Sequence, residues 1–337
     1  MVATAVSSAR HTWMDLLRGT AVLLVIAWHS MTVTEGLGVD VPDAITMANQ
    51  ALSPYRLPTL LVISGMLLPR SLTKPVAAYV RGKVRAILWP FLIWTLIMGL
   101  LRDRSSLLDP VTWVAGRDHL WFLSTLFVCY LAALALRRVP GWVVAVAAWA
   151  CWFAFSPQVP GLANWIWFGA YFFLGASLSQ AFERITRLPG TVVAGLAVAA
   201  AAGAVLAAAR SGYQWGAPWL VISLVGVLLL MWSAPRAPRV AVVRALEAMG
   251  RSSIYYYLAH VAAILLVGRG LLAAGVESGW LAYLAAFAAG LLGSYALTRI
   301  PAARWLFLFA RRIAHDPTQS RSTGWSDVSP LPRQPQQ

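Results

Sequence analysis

A succession of ten apolar segments limits this chain to very few folds. An α-helix rises about 1.5 Å per residue, so each segment is near the length that crosses a hydrocarbon core about 30 Å thick. In lipid the backbone must satisfy its own hydrogen bonds, which a helix does within one segment. Continuous apolar runs of this length predict transmembrane helices. We therefore predict an all-α, polytopic transmembrane helix bundle. The predicted spans are 13–33, 51–69, 86–101, 119–136, 141–156, 162–181, 190–209, 217–233, 252–270 and 279–298.

Composition supports the membrane assignment and excludes several other classes of protein. Of the 337 residues, 59% are hydrophobic and only 12% are charged, whereas soluble domains contain about 25% charged residues. Cys129 and Cys151 lie in apolar segments without zinc-type spacing, so neither a disulfide bond nor a metal site is predicted. The sequence contains no phosphate-binding loop, nucleophile elbow, zinc-protease motif or dinucleotide fingerprint. Any chemistry is therefore predicted to lie within the membrane bundle.

The distribution of charge predicts the topology. The net charge is +15, and most basic residues fall in alternate loops, while acidic residues favour the loops between them. The positive-inside rule then places both termini in the cytoplasm and the protein in the cell membrane as a multi-pass protein. The excess charge reflects topology and contact with anionic headgroups rather than nucleic-acid binding. We predict a cytoplasmic N-terminus at 1–12, a transmembrane domain at 13–310 and a disordered cytoplasmic tail at 311–337.

The first span carries three ionisable residues, Asp15, Arg18 and His29. At about 100° per residue, Arg18 and His29 return to nearly the same helix face. Asp15 lies one turn before Arg18, close enough to pair with it. Such groups are costly in lipid, so they are expected to face the bundle interior and to mark a functional site. The alternative is interfacial anchoring, which explains Arg18 by its long side chain but does not explain His29, deeper in the span.

Polar residues in three later spans are further candidates. The second span begins near Arg56 and contains the small pair Ser64–Gly65, where another helix can approach closely. His119 and Trp121 open the fourth span at the predicted outer face, and His260 lies near the middle of the ninth. Each histidine has a structural alternative: His119 as a polar residue at the membrane rim, and His260 as a hydrogen-bonded packing residue.

A basic segment on the predicted inner side contains Arg81, Lys83 and Arg85. Attraction to anionic headgroups is one explanation for such a cluster. The other is a site for a polyphosphate ligand, because arginine forms paired hydrogen bonds with phosphate groups.

Several of these residues resemble the motifs of a known family. The string Asp15-Leu-Leu-Arg18-Gly19, with ten residues between Arg18 and His29, resembles the opening motif of the acyltransferase 3 family of integral membrane O-acyltransferases. Further strings similar to that family are Ile63-Ser64-Gly65, His119-Leu-Trp121-Phe122, and the segment from Gly250 to His260. The resemblance extends over about residues 12–310. It implies transfer of an acyl group, most often acetyl, from cytoplasmic acyl-CoA to a hydroxyl of a glycan or glycoside, without a permanently bound cofactor.

Acyl transfer from a thioester to a hydroxyl suggests roles for these residues. The reaction needs a base for the alcohol proton and positive charge or donors for the developing oxyanion. A neutral imidazole, with an ordinary pKa of about 6.5, suits the first task, so His29 is the candidate base. Arg18, held by Asp15, is expected to bind a phosphate or the carbonyl of the donor. Whether His29 instead carries the acyl group covalently stays open. The residues implied to bind acyl-CoA are Arg81, Lys83 and Arg85, and those implied to bind the acceptor are His119, Trp121, Ser64, His260 and Arg56.

Two other functions fit the same sequence. Intramembrane Asp, Arg and His also form proton relays, so a transporter or flippase of a lipid-linked glycan is one alternative. Against it, the polar groups concentrate on the first span instead of following a pathway. The second alternative is an acyltransferase that acts on a secondary metabolite such as a macrolide, which the sequence does not separate from one acting on surface glycans.

Overall fold

A computed structural model of the protein describes residues 12–155, 160–210 and 215–309, and every regular element within these ranges is helical. The all-α prediction is therefore confirmed. Apart from Thr12, the predicted cytoplasmic N-terminus lies outside the described residues, and so does the predicted disordered tail at 311–337.

Fifteen α-helices occupy the described ranges. In chain order they are α1 (Thr12–Gly36), α2 (Asp43–Ala51), α3 (Ser53–Met66), α4 (Leu68–Leu72), α5 (Val76–Lys83), α6 (Trp89–Arg102), α7 (Pro110–Ala115), α8 (Trp121–Ala135), α9 (Gly141–Phe155), α10 (Pro160–Thr186), α11 (Gly190–Ala208), α12 (Ala217–Ser233), α13 (Ala241–Arg251), α14 (Ser253–Ala273) and α15 (Gly279–Arg299). A π-helical turn joins α5 to α6 at Val84–Leu88, and 3-10 turns occur at Arg104–Leu108, Asp118–Leu120, Ala234–Arg236 and Pro301–Leu306.

Eight helical segments within the described residues are long and apolar enough to cross a membrane. Two of them are composite: Asp43–Leu72 contains α2 to α4, and Val76–Arg102 contains α5 and α6. The shorter apolar helix α9 and the long helix α10 coincide with the two remaining predicted spans, at 141–156 and 162–181. The bundle therefore has a helix at each of the ten predicted positions.

Two helical segments begin earlier than the sequence analysis predicts. The second starts at Asp43 instead of 51, and the third at Val76 instead of 86. Both extensions contain polar residues, so hydropathy alone does not reveal them. Asn49 of α2, for example, is buried. Its side-chain amide donates to the Ile45 carbonyl oxygen at 3.0 Å, which compensates for the loss of water. As a consequence, the basic segment 81–85 lies on a helix continuous with the third span.

Helix α1 lies at the centre of the bundle, where it packs against α3, α13, α14 and α15. The backbones of α1 and α13 approach closely at Gly250, which has no side chain. A Cβ at this position would overlap the Asp15 carbonyl. Asp15 itself is only 2% exposed. The carboxylate of the first span thus faces the bundle interior, where a membrane protein keeps its ionisable groups.

The small pair in the second span also brings two helices together. A Cβ at Gly65 of α3 would overlap the Phe172 carbonyl of α10, so these two helices meet backbone to backbone. The close approach predicted for this position is confirmed.

We expect Gly65→Ala to destabilise the protein by about 1–3 kcal/mol, because the added methyl group fits only if α3 and α10 separate. The measurement is the apparent melting temperature of the purified protein in detergent. Gly195→Ala is the matched control, since its Cβ would meet open space among the described residues of α11 and alanine favours a helix over glycine. Equal melting temperatures for the two variants would contradict this account of the packing.

Candidate functional site

A cavity of about 430 Å³ lies at the His29 end of α1, and we call it the histidine cavity. Its wall is formed by side chains of α1, α3, α8, α10, α12 and α14, with the last residue of α6 and the turn before α8. Typical small-molecule sites enclose roughly 300–1,000 Å³. The histidine cavity therefore has the size of a ligand site.

Three histidines from distant parts of the sequence meet at this cavity. The ring centroids of His29 and His260 are 4.9 Å apart, those of His119 and His260 5.1 Å, and those of His29 and His119 5.9 Å. His260 and His119 are buried, at 0% and 2% exposed, so neither ring faces lipid. His29 and His119 line the cavity, and His260 lies behind them.

Hydrogen bonds to main-chain carbonyls assign the protons on two of the rings. His260 Nδ1 lies 2.8 Å from the Tyr256 carbonyl oxygen, which only accepts, so Nδ1 carries the proton and Nε2 is an acceptor. That Nε2 faces His29 Nδ1 at 3.1 Å, and His29 Nδ1 also lies 2.9 Å from the Val25 carbonyl oxygen. Because both neighbours accept, His29 carries its proton on Nδ1. Its Nε2 is left with a free lone pair.

His119 is held in a different orientation. Its Nε2 donates to the Leu258 carbonyl oxygen at 3.2 Å, and the Tyr257 hydroxyl donates to the main-chain carbonyl of His119. Its Nδ1 is buried and has no hydrogen-bond partner among the residues that the structure describes. The His119 ring therefore lines the cavity, while this nitrogen is shielded from it.

The histidine cavity has aromatic walls, and the charged residues that line it are Arg56, Arg102 and Asp118. Arg102 donates to Asp118 at 2.5 Å, so these two charges offset each other. The Arg56 guanidinium is centred 4.4 Å from the ring of Trp28. Trp121, predicted to bind the acceptor, also lines the cavity. The wall thus combines flat apolar surfaces with a cation that is not neutralised by the lining acid.

A second group of candidate residues converges on Tyr130 near the other end of α1, and we call it the inner cluster. Arg18 and Asp15 are paired at 3.6 Å, as predicted, and Asp15 is the more buried partner. Lys83 of α5 places its Nζ 3.4 Å from the ring centroid of Tyr130 and 5.3 Å from that of Tyr79. Arg18 also interacts electrostatically with Tyr130. Lys83 therefore stacks on Tyr130, and Arg18 adds positive charge near the same residue.

The other residues predicted to bind the donor or the acceptor have different contacts. Arg85 donates from Nη2 to the Phe309 carbonyl oxygen at 2.8 Å, so its guanidinium holds the C-terminal segment. Arg81 is exposed on α5. The Ser64 hydroxyl donates to the Leu60 carbonyl oxygen at 2.7 Å, and Ser64 does not line the histidine cavity. Its main-chain carbonyl accepts from the Tyr130 hydroxyl at 3.3 Å, so Ser64 lies beside the inner cluster. Of the three basic residues predicted to act together, only Lys83 lies in the inner cluster.

The two groups are well separated along α1. A rise of about 1.5 Å per residue puts Arg18 about 16 Å from His29. Arg18 therefore does not reach a carbonyl whose attacking hydroxyl is bound at His29. Of the two roles predicted for Arg18, this separation favours contact with a phosphate, which stays a prediction.

Several residues of the site are absent from the sequence prediction. Tyr257 lies three positions before His260 on α14, a spacing that could have shown it. Trp28 is one tryptophan among 17, which gave no reason to single it out. The pairing of Arg102 with Asp118 depends on how α6 meets the turn before α8, which the sequence does not show.

The histidines are not arranged as metal ligands. Within residues 12–155, 160–210 and 215–309, no group of three His, Cys, Asp or Glu side chains is placed to hold a metal ion. The cluster is instead a hydrogen-bonded arrangement, in which carbonyl oxygens orient the rings.

Comparison with known proteins gives one family. The acyltransferase 3 family, described as "Acyltransferase domain", matches residues 11–299. No curated protein and no solved structure matches the chain. The matched range contains the inner cluster and all three histidines.

Proposed function

The chain belongs to the acyltransferase 3 family and is a membrane acyltransferase, and on this basis we propose that it transfers an acetyl group from cytoplasmic acyl-CoA to a hydroxyl of a glycan. The proposed location is the cell membrane, with the inner cluster on the cytoplasmic side. The observation that carries the proposal is the orientation of His29, whose Nδ1 lies beside the Val25 carbonyl oxygen and His260 Nε2 while its ring lines a cavity of about 430 Å³. A base beside a ligand-sized cavity is what acyl transfer to a hydroxyl requires.

His29 is the proposed general base. Its Nε2 takes the proton of the acceptor hydroxyl while the oxygen attacks the thioester carbonyl carbon. A C–O bond forms, the C–S bond breaks, and the proton passes from His29 to the departing thiolate. The products are an ester and free CoA. His260 accepts a hydrogen bond from His29 Nδ1 and so stabilises the imidazolium during the reaction.

The inner cluster is the proposed site for the polar end of the donor. Arg18 and Lys83 supply the positive charge that the phosphates of CoA require. The distance of about 16 Å along α1 then separates these phosphates from His29. The long pantetheine arm of CoA bridges that distance, so the thioester reaches His29 while the nucleotide stays on the cytoplasmic side. The arm, and not a free acyl group, crosses this part of the bundle.

The histidine cavity is the proposed acceptor site. Its aromatic residues, among them Trp121 and Trp28, offer flat surfaces to a sugar ring. The ring of His119 forms part of the same wall. A glycan combines apolar ring faces with many hydroxyls, which suits this wall.

Sealed vesicles of known orientation test the proposed sides of the reaction. Radiolabelled acetyl-CoA added to inside-out vesicles should label a glycan trapped in the lumen, because the donor phosphates bind on the cytoplasmic face. The same donor added to right-side-out vesicles should give only background label. Vesicles prepared without the protein are the control.

The other outcomes are informative as well. Equal label from both orientations would contradict the assigned sides. Passage of glycan across the membrane without acylation would favour a transporter, and acylation of a macrolide but not of glycan would change the acceptor class.

A further inference from the structure

Arg56 is a buried cation for which the protein supplies no counter-ion in the described ranges. It is 6% exposed, and none of the ion pairs found among the described residues includes it. Its Nη1 has no hydrogen-bond partner there. Stacking on Trp28 offsets part of the cost, but an unpaired buried charge remains strongly destabilising.

The acidic residue that lines the cavity does not remove this imbalance. Asp118 lines the same cavity as Arg56, but it is already bound by Arg102 at 2.5 Å. The cavity therefore keeps one unpaired positive charge. A guanidinium has five N–H donors in a planar fork, and carboxylate and phosphate groups match that fork with two parallel hydrogen bonds.

From this geometry we propose that the acceptor is an anionic glycoside, and that Arg56 binds a carboxylate or phosphate group of its sugar. The aromatic wall holds the ring of that sugar, and the anion supplies the counter-charge that Arg56 lacks. Pairing of the anion with Arg56 then contributes to binding. It also fixes which hydroxyl of the sugar faces His29.

The anion belongs to the acceptor because the phosphates of the donor are held elsewhere. Under the proposed function they lie at Arg18, about 16 Å along α1 from His29. Arg56 and Trp28 are at the His29 end, in the wall of the histidine cavity. The inference rests on the proposed function in taking this cavity as the acceptor site.

Binding measurements without donor test the proposal. Purified protein in lipid discs is titrated calorimetrically with methyl glucuronide, with the corresponding uronamide, which is neutral and nearly isosteric, and with methyl glucoside 6-phosphate. The wild type should bind each anionic sugar about ten- to a hundredfold more tightly than the amide, the range expected for hydrogen bonds to a charged group. Arg56→Gln should bind all three sugars equally, whereas Arg56→Lys should recover part of the preference.

The matched control is Arg104→Gln, which removes an exposed arginine on the predicted outer side and should keep the wild-type preference. If Arg56→Gln fails to fold, the comparison of anionic and neutral sugars on wild-type protein still decides. Equal affinity of wild type for glucuronide, phosphate sugar and amide would overturn the proposal. A preference that persists in a folded Arg56→Gln variant would overturn it too.

Two further results would place Arg56 in another role. An equal loss of transfer rate to neutral and anionic sugars in Arg56→Gln would make it an oxyanion donor. An Arg56-dependent preference for succinyl-CoA over acetyl-CoA would place the anion on the acyl chain. Either result overturns the proposal. Because binding is measured without donor, failure of acyl transfer would reject the proposed function while leaving the anion site to be judged by the titrations.

Discussion

His29→Gln should lower the rate of acyl transfer by about 10²–10⁴-fold, the contribution typical of a general base. Glutamine can still donate to the Val25 carbonyl oxygen that His29 uses, so the local structure should persist. It has no basic nitrogen, however, and cannot take the proton of the acceptor hydroxyl. The measurement is the initial rate at which label moves from radioactive acetyl-CoA to glycan in lipid discs.

A neighbouring histidine supplies the control for this substitution. His119→Gln alters the same cluster, but it should mainly raise the KM for the acceptor, because His119 lines the proposed acceptor site and is not the proposed base. Both variants must show the elution profile and the melting temperature of the wild-type protein. A His29→Gln rate within about threefold of wild type would remove His29 from the chemistry, since a general base contributes at least about 10²-fold.

His260→Leu should lower kcat about 10- to 100-fold, as expected for a residue that orients a reacting group from behind. The substitution should leave the KM for the donor and the KM for the acceptor nearly unchanged. His260 does not line the cavity, and it acts only through His29 Nδ1, at 3.1 Å. His260→Gln should recover part of the rate, since its side-chain oxygen can accept the same hydrogen bond. Steady-state kinetics with each substrate varied in turn would show this separation of kcat from KM.

A purely structural role for His260 gives a different pattern. It would lower the melting temperature of both variants, reduce the amount of active protein and show no recovery in His260→Gln. That pattern would contradict the positioning role, whatever the size of the loss.

The sequence was most informative where the structure depends on continuous apolar runs. Each predicted span has a helix, because a lipid-facing segment must be apolar along its length. The second helical segment begins earlier than predicted, at a stretch where Asn49 satisfies its polar group within its own helix. The third also begins earlier, and there the Tyr79 hydroxyl donates to the Tyr130 carbonyl oxygen of another helix. Hydropathy averages do not register such compensation.

Within the site, contacts along one helix were predictable and contacts between helices were not. The Asp15–Arg18 pair follows from helical spacing and is present at 3.6 Å. The meeting of His29 with His260 depends on how α1 packs against α14, which no local pattern specifies. Arg85 makes a second contact of this kind, because its guanidinium donates to a carbonyl oxygen 224 positions away in the sequence.

The fate of the labelled acetyl group tests the central claim most directly. Purified protein in lipid discs is given radioactive acetyl-CoA and a surface glycan, and both the glycan-bound label and the free CoA thiol are measured. The account predicts alkali-labile label on the glycan and an equal amount of free thiol, as expected for ester formation. Folded protein that releases no thiol and leaves every glycan tested unlabelled would contradict it.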